Sequence, residues 1–125
     1  MNSEQNLVRE FHASFDLLIS KRPSLPDSSV IALRMSLIRE ESDELNEAFK
    51  MGNITDIAKE LADLLYVVYG AAVSCGIDME PIFKEVHRSN MTKIGGHKRE
   101  DGKWVKPATY SPARIEPIVA EQGPT

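Results

Sequence analysis

The sequence predicts an all-α protein, an antiparallel four-helix bundle with an irregular tail rich in proline and glycine. Three observations carry this. Apolar residues recur at helical spacing through most of the first 94 residues. No segment of any length alternates apolar and polar residues as a half-buried strand does. Prolines and glycines divide the chain into helix-length pieces with short connections, the pattern of antiparallel neighbours.

The first helix is expected from Ser3 to Ser20, with Leu7, Phe11, Phe15 and Leu18 on one side and Ser3 as N-cap. Pro23 and Pro26 break the chain. Asp27 or Ser28 can cap a second helix running to Met51, with Gly52 placed to leave it in a left-handed conformation. Asn53 or Thr55 caps a third, which ends at Ser74 or Cys75 before Gly76. The fourth starts at Asp78, tolerates Pro81 in its first turn, and stops at Gly95-Gly96. Residues 1–94 thus form a helical domain and 95–125 an extended tail. Asp101-Gly102 can turn between two short extended pieces, and the segment beyond Pro112 is expected to be loosely ordered.

Composition narrows the function. One domain of 125 residues can bury a sizeable core. A net charge of -4 argues against general nucleic-acid binding, because phosphate backbones need a basic surface. The single Cys75 sits in an apolar run and reads as a small packing residue. The start of the chain lacks a signal-peptide pattern, and the apolar run 61–73 is too short to span a bilayer. A soluble cytoplasmic protein with no membrane partner is expected.

The acids are the informative anomaly. On a helical wheel Glu41 and Glu44 fall inside the apolar arc of the second helix, while Arg39, Asp43, Asn46, Glu47 and Lys50 face solvent and Glu40 lies at the border. Glu60 and Asp63 repeat the spacing on a third helix that is apolar nearly all round. Four carboxylates converging between two helices repel one another, and a hard divalent cation is their natural compensator. No residue three after these acids is a histidine, and His12, His87 and His97 are scattered. An all-oxygen site favours Mg²⁺, with Mn²⁺ able to substitute. The basic run His87-Arg88-Ser89-Asn90-Met91-Thr92-Lys93 either complements a helix C-terminus or meets phosphate.

Glu40-Glu41-x-x-Glu44 followed by Glu60-x-x-Asp63 resembles the EExxE…ExxD signature of the MazG-like all-α nucleoside triphosphate pyrophosphohydrolases. The stretch Glu60-Leu-Ala-Asp-Leu-Leu-Tyr66 and the run from His87 to Lys93 resemble the small single-domain branch of that superfamily. The resemblance covers residues 5 to 112. It implies hydrolysis of a (deoxy)nucleoside triphosphate between the α and β phosphates. It also implies that Glu41, Glu44, Glu60 and Asp63 hold Mg²⁺, that Glu40 orients or deprotonates the attacking water, and that Asn90 and Lys93 contact phosphate or sugar. It implies self-association as a dimer or tetramer, which suits the all-round apolar third helix. Two other readings remain open: a phosphoribosyl-ATP pyrophosphohydrolase, and a non-catalytic helical interaction module with solvated acids.

Overall fold

The computed structural model describes residues 1–123 and is mostly helical; Pro124 and Thr125, the end of the expected tail, lie outside the described residues. The chain divides into two compact units, one built from Met1–Met79 with Gln122 and Gly123, the other from Glu80–Glu121.

In the first unit α1 (Ser3–Ser14), α2 (Ser28–Met51) and α3 (Ile54–Cys75) pack with α3 against both of the others. Asn2, not Ser3, caps α1: its side-chain oxygen accepts the Gln5 amide at 2.8 Å. The helix stops six residues short of the expected end, and Asp16 takes a left-handed conformation at φ 55°. The reason is long-range. The Leu18 carbonyl accepts from both the His12 ring and the Ser74 hydroxyl, and Ser20 bonds the backbone of Val73 and Ser74. These bonds hold residues 18–20 against the end of α3 and are incompatible with another helical turn.

The α2–α3 turn follows local chemistry. Gly52 leaves α2 at φ 73°, and the Asn53 side chain accepts the amides of Thr55 and Asp56. Gly76 ends α3 at φ 70°, where a Cβ would stand 2.1 Å from the Arg22 carbonyl oxygen, so only glycine fits. Val8, Ala48, Ile57, Ala72 and Val73 are buried, together with the polar Gln5, His12, Arg34 and Ser74. Gln5 bonds the Ile77 carbonyl and the Met79 amide, and Gln122 pairs with the backbone of Asp78. Much of the expected apolar face is uncovered: Leu33, Met35, Phe49, Leu61, Leu65 and Tyr66 are exposed.

Within the second unit, α4 (Met79–Met91, entering from the first unit) ends four residues before Gly95. Ser89, buried on α4, donates to the Ser111 carbonyl at 2.7 Å, and Thr92 accepts the Ser111 amide. Arg88 is fully engaged, forking onto Glu85 at 2.8 and 2.9 Å and reaching Ser111 and the Pro112 carbonyl. That fork, with the Arg114 amide, holds the Glu85 carboxyl down to about 2. A two-stranded hairpin, β1 (His97–Lys98) and β2 (Trp104–Val105), turns at Asp101-Gly102 as its sequence predicts. Beyond Pro112 the chain forms a short helix, α5 (Glu116–Glu121), in place of the loosely ordered segment expected there. Pro117 in its first turn is compatible with that start. Among the described residues, no single helix is long and apolar enough to cross a membrane.

Candidate metal centre

The α2–α3 hairpin sets the register of the acids. In an antiparallel pair, residues equally distant from the turn lie side by side. Glu44 and Glu60 are each eight residues from Gly52, and Glu41 and Asp63 are each eleven. The two acidic pairs therefore meet, and each of the four residues offers a carboxylate oxygen within 4.8 Å of the others.

Burial makes the arrangement expensive. Glu41, Glu60 and Asp63 are half-buried and Glu44 is exposed. Glu41 Oε2 and Glu60 Oε2 are cut off from solvent and have no hydrogen-bond partner. Burial pushes the Glu41 carboxyl up, and the charges of Glu44, Asp63 and Glu60 push it further. Buried acceptors without donors carry a desolvation cost, of order 1–3 kcal/mol each for neutral groups and more for charged ones. Hard oxygen donors, mutual repulsion and two orphaned oxygens together fit a divalent cation of the Mg²⁺ type.

Lys59 supplies part of the missing charge, a role that reading the sequence overlooked. Its Nζ stands 2.7 Å from Asp63 Oδ2 and 3.5 Å from Glu60 Oε1. The hydrogen bond to Asp63, then the charges of Asp63 and Glu60, raise its pKa. The signal was present as a Lys-to-Asp spacing of four on one helix face. An open cleft of about 380 Å³ adjoins the cluster, lined by Asp43, Glu44, Glu47, Ala48, Met51, Asp56 and Glu60. Five of its seven lining residues are acidic, which favours cations there over free anions.

Glu40 is exposed on α2 and is not among the four converging carboxylates. Asn90 and Lys93 belong to the second unit, Asn90 exposed on α4 and Lys93 half-buried beyond it. Lys93 Nζ lies 6.0 Å from the centre of the Tyr110 ring, and Lys106 Nζ lies 4.5 Å from it. His12 is a buried packing residue; His87 and His97 are exposed.

A helical hairpin that presents ExxE opposite ExxD defines the class, the MazG-like all-α pyrophosphohydrolases. Within that class the chain belongs to the phosphoribosyl-ATP pyrophosphohydrolase family, whose model matches residues 8–90. It is also similar to an uncharacterized protein of Acanthamoeba polyphaga mimivirus, at 40% identity over 50 residues, which are 40% of this chain and 20% of that protein. The chain thus matches only a fifth of that relative's length.

Proposed function

We propose that the protein hydrolyses a (deoxy)nucleoside triphosphate between the α and β phosphates, releasing the monophosphate and pyrophosphate. The observation that carries this reading is the pair of orphaned oxygens, on Glu41 and Glu60, within a four-carboxylate cluster. Glu41, Glu44, Glu60 and Asp63 hold Mg²⁺, or Mn²⁺ in its place. A cation bound there neutralises phosphate charge and makes a bound water more acidic. Glu40, next to the cluster in sequence and open to solvent, accepts the proton of the attacking water. Asn90 and Lys93 bind phosphate or sugar.

The protein acts as a dimer or a dimer of dimers. Exposed Leu61, Leu65, Tyr66 and Val68 on α3, with Leu7 of α1 lining a pocket beside Leu65 and Tyr66, supply an apolar surface of the kind helical interfaces use.

The family match favours a second reading, in which phosphoribosyl-ATP is the substrate. It presents the same anhydride bond, so the metal cluster cannot separate the two. Incubation with Mg²⁺ and a panel of nucleoside triphosphates plus phosphoribosyl-ATP, with products identified, decides between them. Pyrophosphate released from triphosphates at higher kcat/KM supports the first reading. Preference for phosphoribosyl-ATP establishes the second, and no pyrophosphate from any of them leaves a non-catalytic helical module.

A further inference from the structure

We propose that Arg34 is an oxyanion-recognition residue, whose guanidinium receives a phosphate group of the same ligand that the carboxylate cluster holds through its cation. The identity of that ligand rests on the hydrolase reading above.

Arg34 is 8% exposed, and its only hydrogen-bond partner among the described residues is His12, from Nη1 to Nε2 at 3.4 Å. Its Nε is buried without a partner, and among the described residues no carboxylate forms an ion pair with it. His12 does not compensate the charge. Its Nδ1 faces the Leu18 carbonyl at 3.0 Å and must be the protonated nitrogen, because a carbonyl only accepts. Nε2 is then the bare nitrogen that can accept from a guanidinium, so the ring is neutral.

A buried cation with no counter-charge is costly, and removing one partner of a buried pair is among the most destabilising changes known. Yet the fold is shaped to keep this one. A Cβ on Gly70 would stand 2.7 Å from Arg34 Nη1 and 3.3 Å from His12 Nε2, so α3 carries a glycine where the guanidinium crosses it. A group that is desolvated, held in place and left half-satisfied is prepared for an acceptor from outside the chain. The planar guanidinium fork matches an oxyanion, phosphate above all, better than a neutral acceptor.

The register connects this group to the metal centre. Arg34 and Gly70 are each eighteen residues from Gly52, on the same ladder that pairs Glu44 with Glu60 and Glu41 with Asp63. Arg34 precedes Glu41 by seven residues on α2, and Gly70 follows Asp63 by seven on α3. That is about two turns, or roughly 10 Å at the helical rise. A polyphosphate with one end on a cation at the cluster can place a further phosphate in that direction.

The test uses inorganic tripolyphosphate, titrated by calorimetry with Mg²⁺ into the wild-type chain, Arg34→Gln and Arg34→Lys, each checked for helix content. Arg34→Gln should bind at least about tenfold more weakly, the loss expected for a charge-assisted bond. Arg34→Lys, with charge but no fork, should fall between. Wild-type affinity in both variants, or no binding by the wild type, would overturn the proposal. If the glutamine variant does not fold, the lysine variant decides alone. Arg34-dependent binding without turnover of any nucleotide would sink the hydrolase reading and leave this one standing; turnover with Arg34-independent binding would do the reverse.

Discussion

Arg34 Nη1 lies 2.7 Å from the point where a Cβ on Gly70 would begin. The absence of a side chain at residue 70 is what allows α2 to lay a guanidinium across α3, beside the buried His12 of α1. The first three helices therefore close over a polar group, not over a large aliphatic one.

Gly70→Val should destabilise the first unit by about 1–3 kcal/mol in urea unfolding, the usual cost of overpacking a filled site. Valine's better helix propensity offsets only a few tenths of that. An unchanged or raised midpoint would mean that the guanidinium swings aside at no cost and that the glycine is not needed for it.

Burial lowers the pKa of His12 below its ordinary value of 6.5; the Leu18 bond opposes the shift and the charge of Arg34 adds to it. The unfolded chain then takes up a proton at higher pH than the folded one. Stability should be fully present above about pH 6.5 and fall as the pH drops below it. Urea midpoints measured from pH 8 to pH 5 should decline through that window, and His12→Gln should flatten the decline. An equal slope in the variant would show that His12 protonates as easily folded as unfolded.

Lys59 occupies the cation side of the cluster through its contacts with Asp63 and Glu60. Being largely exposed, it competes weakly. Lys59→Met should tighten Mn²⁺ binding about two- to fivefold, the span of an exposed ion pair, as read by calorimetry. Weaker binding in the variant would assign Lys59 to supporting the site instead.

Glu40→Gln should keep metal affinity near wild type and lose turnover by about a hundredfold or more, the usual worth of a general base. Loss of metal binding as complete as in Glu44→Gln would make Glu40 a ligand.

The acidic cluster was legible because its geometry is local. Helical period fixes each pair, and the Gly52-Asn53 turn fixes how the pairs meet, so both follow from residues close in sequence. The caps at Asn53, Gly52 and Gly76 were readable for the same reason. What escaped depended on distant partners. The early end of α1 is set by Leu18 bonding to Ser74, fifty-six residues away. Arg34 falls inside the same apolar arc as Glu41, but nothing close to it in sequence shows that a glycine of α3 and a histidine of α1 wait opposite. Helix α5, six residues long, is too short for periodicity to announce.

Thermal unfolding of the wild type and Glu60→Gln, each with and without Mg²⁺, shows whether the four carboxylates are held together for a divalent cation. Glu60→Gln removes a half-buried charge from the cluster, so without metal its Tm should equal or exceed that of the wild type. Adding Mg²⁺ should raise the wild-type Tm clearly and the variant's much less. Equal Mg²⁺ shifts in the two proteins, or a variant that melts well below the wild type without metal, would contradict the account.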